Sequence, residues 1–199
     1  MKKDILSIYN VASKNDGIVR TNEVEQMGIG RYNLKEFVES GFLVRESQGI
    51  YSIPDERPDE YFLIQARSSK IIFSYGTALF FHGLSDRVPN TVDITLPQGY
   101  NASRLKKAYP MLRIHYVKPD LLAYETTKIT TPQGHLVKLY TPERCICELI
   151  KKPTSVDKQI YTQAIKQYFR DDYSPRKLLK VAKVFDVEAM VRSYVEVLK

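Results

Sequence analysis

The chain has 199 residues, of which 43% are hydrophobic, enough for one large or two small domains with a buried core. Its two cysteines, Cys145 and Cys147, exclude a disulfide framework and fit a reducing cytoplasm, and no apolar run approaches the length of a membrane span. The net charge of +7 favours a polyanionic partner, yet residues 1–53 contain seven Lys/Arg and seven Asp/Glu, so the whole surplus lies in residues 54–199.

The N-terminal region reads as helix, strand, helix, turn, helix and hairpin. Residues 3–14 form an amphipathic helix whose apolar side chains recur at helical spacing, namely Ile5, Ile8, Tyr9 and Ala12. Residues 18–20 are a short strand predicted to pair with the hairpin. The next helix covers residues 21–27, and Thr21 is predicted as its N-cap. Gly28 and Gly30 bound the tight turn that follows.

A further helix over residues 31–40 ends before Gly41. Residues 43–45 and 50–53 are strands around a glycine-containing turn, ESQG. This order is typical of a winged helix-turn-helix, in which the second helix of the motif enters the DNA major groove and the hairpin lies along the backbone. Residues 1–53 are therefore predicted to be a winged helix-turn-helix DNA-binding domain.

The helix over residues 31–40 has two distinct faces. Leu34, Phe37 and Val38 point inward, whereas the outward face carries Tyr32, Lys35, Glu36 and Glu39. Arg31 and Asn33 flank the outward face near its N-terminal end, where arginine can pair with guanine and asparagine with adenine. The two glutamates would face phosphates unfavourably, and a winged helix used only for protein contacts is an open alternative.

Residues 54–58 contain two prolines and three charges and are predicted to be a linker. Residues 59–199 follow as a second domain with mixed helices and strands. Its helices are predicted over residues 59–67, 75–82, 103–109, 142–150, 156–170, 175–184 and 187–198. Its strands are predicted over residues 71–73, 92–96, 112–117, 125–131 and 135–140. The fold class is α+β: an N-terminal winged helix-turn-helix and a C-terminal mixed α/β domain ending in a helical bundle.

One late helix carries a basic stripe. Arg176, Lys180 and Lys183 recur at helical spacing with Lys177 beside them, while the core side is predicted to consist of Leu178, Leu179, Ala182 and Phe185. The stripe has two interpretations that the sequence does not separate, a contact with the DNA backbone or an ordinary solvated face.

No metal, cofactor or catalytic site is predicted. Cys145 and Cys147 are one residue apart on a predicted helix, and the histidines lack ligand spacing, so both types are interpreted as structural. Gly83-Leu84-Ser85 followed by Asp93 and Thr95 faintly matches a nucleotidyltransferase signature. Thr95 stands where that chemistry needs a second carboxylate to hold metal ions.

Four segments together resemble the AbiEi family, the antitoxins and repressors of abortive-infection type IV toxin–antitoxin systems. They are GFLVRESQGIYSIP, FSYGTALFFHGLSDRVP, VDITLP and TPERCICELI. The resemblance covers essentially the whole chain. Residues 75–84 within the second segment mark the second domain, and His82 among them is interpreted as a packed, hydrogen-bonded residue.

The resemblance implies an N-terminal domain that binds inverted repeats in its own promoter and represses transcription. It also implies that residues 59–199 form an antitoxin domain. That domain would counter a nucleotidyltransferase-like toxin without forming a stable complex with it. The protein would be a cytoplasmic monomer when free, paired on double-stranded DNA and independent of membranes. The DNA-binding candidates are Arg20, Thr21, Arg31, Tyr32, Asn33, Lys35, Arg45, Gln48, Arg176, Lys177, Lys180 and Lys183.

A second hypothesis is a nucleotidyltransferase-fold enzyme that carries a winged-helix targeting domain. Thr95 in place of an acid argues against that hypothesis, so the protein is expected not to be an enzyme.

Overall fold

The computed structural model describes residues 2–54, 59–170 and 174–198, and these ranges form a mixed α/β protein with two sheets. The helices are α1 (Lys2–Lys14), α2 (Thr21–Gln26), α3 (Arg31–Glu39), α4 (Glu60–Ala66), α5 (Tyr75–Phe81), α6 (Ser103–Ala108), α7 (Pro142–Lys151), α8 (Lys158–Arg170), α9 (Pro175–Val184) and α10 (Glu188–Leu198). The strands are β1 (Ile18–Arg20), β2 (Val44–Ser47), β3 (Ile50–Ser52), β4 (Ile72–Phe73), β5 (Val92–Pro97), β6 (Leu112–Val117), β7 (Thr126–Thr130) and β8 (Leu136–Tyr140). None of the described helices is long and apolar enough to cross a bilayer.

The chain divides into two compact units. The first contains residues 1–69 and 130–136, and the second contains residues 70–129 and 137–199. Helix α4 thus belongs to the first unit, whereas the sequence grouped it with residues 59–199. Two sets of hydrogen bonds explain this grouping. Arg67, which follows α4, donates to the Ser47 hydroxyl at 2.5 Å and to the Gln48 carbonyl at 3.2 Å, and Asp59 at the other end of α4 accepts from the Thr131 hydroxyl. Of the predicted linker, residues 55–58 lie outside the described residues.

The first unit has the predicted order of helices and strands. Its sheet has the order β1-β3-β2, and β1 pairs antiparallel with β3 as expected, with Ile18 opposite Ser52. The core contains Ile8, Ala12, Val19, Val24, Ile29, Leu34, Phe37, Leu43 and Ile53. Tyr9 shares the helical spacing of the apolar residues in α1 but is 44% exposed. The apolar stripe of α1 is therefore narrower than its spacing suggests.

Two local predictions in this unit were wrong. Thr21 is the first residue of α2, and the N-cap position belongs to Arg20, whose amide donates to the Glu23 carboxylate at 2.7 Å. In this arrangement the Glu23 carboxylate satisfies the amide of the residue before Thr21, which starts the helix one residue earlier than a Thr21 cap would. The hairpin strand β2 begins at Val44 and continues to Ser47, with a register shift between Arg45 and Ser47, so the turn is shorter than ESQG.

The second unit is built on a five-stranded sheet of order β6-β5-β4-β8-β7. Strand β5 pairs parallel with β6 and antiparallel with β4, and β4 pairs parallel with β8, so the sheet is mixed. All six residues of β5 are buried, and this strand therefore lies inside the unit.

Helix α7 is the centre of the C-terminal helices and packs against α5, α8, α9 and α10. It begins as predicted, with Pro142 in its first turn and the Thr141 hydroxyl accepting from the Arg144 amide at 3.5 Å. Burial raises the pKa of the Cys147 thiol to about 12 and raises that of Cys145 as well. Both cysteines are buried core residues. Thiols with raised pKa values are poor nucleophiles and poor metal ligands.

Candidate DNA-binding surface

Helix α3 presents its polar face because a glycine turn and two core residues fix its orientation. Gly28 adopts φ +78°, a left-handed conformation that allows the sharp junction between α2 and α3. Leu34 and Phe37 are buried beneath the helix. Tyr32 is consequently 72% exposed.

The N-terminal end of α3 carries an intramolecular ion pair. The Arg31 guanidinium, 74% exposed, donates to the Glu25 carboxylate of α2. The hydrogen bond to Glu25 and the charge of that carboxylate raise the pKa of Arg31. In the DNA-free protein Arg31 is therefore occupied, and a base edge or phosphate must replace Glu25 before Arg31 can bind it.

The remaining outer face of α3 is nearly balanced in charge. Lys35 lies 3.5 Å from Glu39, one turn later, and Glu36 is exposed between them. Asn33 is half-buried at the start of the helix. Neighbouring carboxylates screen Lys35 from phosphates, so this helix is better suited to hydrogen bonding with bases than to electrostatic attraction.

The hairpin β2–β3, here called the wing, is held close to the start of α2. The Thr21 amide donates to the Gly49 carbonyl at 3.1 Å, and a Cβ at Gly49 would lie 3.5 Å from the Thr21 hydroxyl. Arg67 donates to the Gln48 carbonyl at 3.2 Å, which anchors the turn while the Gln48 side chain stays exposed. Arg45 is also exposed.

Arg20 and Thr21 are less available than the other candidates. Arg20 lies 3.3 Å from Glu23, and 36% of its side chain is exposed. Thr21 is half-buried beside the wing. The candidates on α3 and the wing, Arg31, Tyr32, Lys35, Arg45 and Gln48, all have exposed side chains within one unit.

The basic stripe of α9 lies in the second unit and is not uniform. Arg176, Lys180 and Lys183 are exposed, and with Arg192 of α10 they border a shallow groove of about 540 Å³. Lys177 instead contacts the Glu143 carboxylate at 2.9 Å and lies 3.9 Å from Glu125. Its charge is therefore largely satisfied within the protein. Leu179, predicted to face the core, is only half-buried and lines the groove.

A second basic face was not found from the sequence. Lys158, Lys166 and Arg170 of α8 are exposed beside a groove of similar volume, about 540 Å³, between glutamine and threonine side chains. In the sequence, only their spacing of eight and four residues indicates that these three residues share a helix face, and such spacing is common on solvated helices.

Two residues of the nucleotidyltransferase-like signature, Asp93 and Thr95, are hydrogen-bonded to residues outside it. Asp93 is fully buried, and its carboxylate accepts from the Arg113 Nη2 and His115 Nε2 atoms, each at 2.7 Å. The Thr95 hydroxyl donates to the Ser74 hydroxyl at 2.9 Å. The His82 Nε2 atom donates to the Tyr140 carbonyl at 2.7 Å, which agrees with a packed, hydrogen-bonded histidine.

Comparison with known proteins identifies the N-terminal region. Residues 7–54 match the family described as transcriptional regulator, AbiEi antitoxin. The AbiEi resemblance is thus confirmed over α1 to β3, the segment that contains α3, the helix predicted to enter the major groove. No curated protein sequence matches the chain.

The overall fold also has a solved counterpart. The crystal structure of the RV2827C protein from Mycobacterium tuberculosis is similar, with a TM-score of 0.59 and 14% sequence identity. The similarity covers 96% of this chain and 79% of that chain, so the two proteins share their fold across both units. At this identity the comparison concerns the fold alone.

Proposed function

We propose that this protein is the antitoxin of a type IV, abortive phage infection system and that it represses its own promoter. The observation that carries the proposal is the AbiEi family match at residues 7–54, the segment in which α3 exposes Arg31, Tyr32 and Lys35. Its functional partner is a nucleotidyltransferase-like toxin that it counters without a stable complex. Its place of action is the cytoplasm, where promoter and toxin are both present.

In the proposed DNA complex, the first unit recognises the base sequence. The N-terminal end of α3 enters the major groove, where Arg31 leaves Glu25 and pairs with a guanine, and Asn33 pairs with an adenine. The wing contacts the backbone through Arg45 and Gln48. The free protein is a monomer, and two copies bind the two halves of an inverted repeat. Half-sites related by two-fold symmetry require two copies of the same DNA-binding domain.

We propose that the second unit has no catalytic role. Nucleotidyl transfer needs carboxylates that are open to metal ions, whereas Asp93 is buried against Arg113 and His115. Thr95 offers a hydroxyl that is already bonded to Ser74. The alternative enzyme hypothesis requires metal-dependent nucleotide turnover by the purified protein.

Electrophoretic mobility shift with the DNA upstream of the gene tests the proposal. We expect a shifted complex on the native upstream fragment that competitor DNA of scrambled sequence does not remove. A promoter fusion should be repressed by the intact protein. No shift, together with unchanged promoter activity, would favour a winged helix that contacts only proteins.

A further inference from the structure

The second unit contains a cleft that the DNA-binding function does not use. It encloses about 800 Å³, within the range of about 300–1,000 Å³ that is typical of small-molecule sites. Its walls include Tyr75 from the start of α5, Thr95 and His115 from the sheet, and Glu148 from α7. These residues come from separate elements of one unit, so the cleft is a feature of its packed core.

Glu148 gives the cleft an unfulfilled acceptor. It is 7% exposed, and its Oε1 atom accepts from the Arg144 Nε atom at 3.0 Å. Its Oε2 atom has no hydrogen-bond partner among the residues described. A buried carboxylate oxygen without a donor is costly, so a ligand that brings an N–H or O–H group would relieve that cost.

Arg144 holds this carboxylate in place. Its guanidinium is fully buried, lies 3.3 Å from the centre of the Tyr140 ring and donates to the carbonyls of Leu121 and Tyr124. These contacts fix the direction from which Arg144 meets Glu148. The Glu148 carboxylate is therefore held in one position rather than mobile, which lowers the cost of ordering it when a ligand binds.

Another wall of the cleft carries a closely packed pair of aromatic rings. The rings of Tyr75 and His115 lie with centroids 4.0 Å apart, and Asp93 fixes His115 through its Nε2 atom. Tyr75 has φ +42°, an unfavourable backbone conformation for a bulky residue. Such strain is retained where the surrounding structure requires one side-chain position, and functional sites are frequent examples.

The rim of the cleft is cationic. Lys118 and Lys152 are exposed at its border, and the neighbouring Lys151 donates to the Phe185 carbonyl at 2.8 Å. The cleft thus combines a buried hydrogen-bond acceptor, a closely packed aromatic pair and a positive border. A ligand with a hydrogen-bond donor on a planar ring and a negative group at the other end matches all three.

We propose that this cleft binds a nucleoside monophosphate whose base carries an amino group. The amino group donates to Glu148, the base lies against the Tyr75–His115 wall, and the phosphate faces Lys118 and Lys152. This site belongs to the second unit and is separate from the DNA-reading helix. Nucleotide binding at this cleft is therefore additional to the proposed repressor and antitoxin function.

Isothermal titration calorimetry on the full-length protein at pH 8 tests the site with AMP, CMP, GMP, UMP, adenosine and inorganic phosphate. We expect an amino-bearing monophosphate to bind more tightly than UMP and more tightly than adenosine or phosphate alone. No binding by any monophosphate, or equal binding of UMP, would overturn the proposal.

Glu148→Gln gives a sharper test. The amide oxygen would take the place of Oε1 beside Arg144, so an NH₂ donor replaces the acceptor. Affinity for the amino-bearing nucleotide should fall at least about tenfold, and the preference should shift towards UMP. A melting curve checks that the variant is folded, and unchanged affinity and preference would contradict the assignment.

Lys152→Ala supplies an independent variant on the exposed rim. It should weaken the monophosphate by about three- to tenfold and leave adenosine unaffected, because it removes only an attraction to phosphate. Lys166→Ala on α8 is the matched control, since Lys166 is an exposed lysine outside the cleft. Equal effects of the two variants would contradict a phosphate position beside Lys152.

Discussion

At the residue scale, the ion pair with Glu25 defines the state of the Arg31 side chain in the protein without DNA. Because its guanidinium is paired with Glu25, the proposed contact of Arg31 with DNA requires that Arg31 leave Glu25. We expect Glu25→Gln to strengthen binding by about two- to fivefold on specific and random DNA alike, since it frees Arg31 and removes a charge that repels phosphate. Fluorescence anisotropy at fixed salt measures the change. Weaker binding by this variant would mean that Glu25 itself contacts DNA.

His82 provides a prediction for pH at the same scale. Burial lowers the pKa of His82 below its ordinary value, with smaller opposite effects from the Tyr140 carbonyl and Glu143. The unfolded chain therefore binds a proton at a higher pH than the folded protein does, and stability falls as pH drops below about 6.5. Chemical denaturation between pH 7.5 and 5.5 should show this loss.

His82→Gln is the matched control for that pH series, because its amide can still donate to Tyr140. Burial raises the pKa of Glu148, which acts in the opposite direction at lower pH, so the difference between wild type and variant is the relevant quantity. That difference should shrink as pH falls, as the wild type loses its advantage. A difference independent of pH would contradict the burial of a neutral His82.

At the scale of elements, periodicity and capping residues located most helices, including the starts of α7 at Pro142 and of α9 at Pro175. The predictions that were wrong concern a helix cap and the ends of a strand, which the spacing of apolar residues does not determine. The Glu23 carboxylate binds the Arg20 amide, so α2 begins at Thr21 rather than after it, and an irregular pairing near Glu46 moved the wing strand. Sheet order and the Asp93 cluster depend on contacts between distant residues, so the sequence alone could not supply them.

The junction of β4 and α5 gives a stability prediction for this element. A Cβ on Gly76 would lie 3.0 Å from the Asp93 Oδ2 atom, and Arg113 and His115 hold that carboxylate in place. Alanine normally favours a helix over glycine, but here the clash should dominate and Gly76→Ala should lose about 1–2 kcal/mol. Urea denaturation measures the loss.

Gly30→Ala is the control for Gly76→Ala, because Gly30 also has a negative φ of −69° and the nearest atom to its added Cβ is 4.0 Å away. It should cost less than about 1 kcal/mol, the usual scale of an N-cap change. Equal losses in both variants would show that the approach of Gly76 to Asp93 has no special role.

At the scale of the whole molecule, the net positive charge and the proposed DNA-reading helix lie in different units. The first unit contains nine Lys/Arg and eleven Asp/Glu, so the second unit supplies the entire positive surplus. Because each neutralised phosphate adds about 0.9 to the salt slope of binding to B-DNA, the slope reports whether those cations contact DNA. Lys180→Glu combined with Lys183→Glu should flatten the slope by about two and leave the preference among sites unchanged.

Lys158→Glu combined with Lys166→Glu, on the other basic helix face, is the matched control of equal charge change. If α9 is the face that contacts the backbone, only the α9 variant should alter the slope strongly. The same slope in wild type and in both variants would mean that the charge of the second unit does not serve DNA binding.

The most direct test of the central claim is the ratio of affinities for the native upstream site and for a scrambled site. For Arg31→Ala and for Asn33→Ala, affinity for the native site should fall about five- to a hundredfold, while affinity for the scrambled site stays within about twofold. Arg87→Ala, which changes an arginine 53% exposed and paired with Asp157, should leave both affinities unchanged. Equal losses on both DNAs, or no preference by the wild type, would contradict base reading by α3.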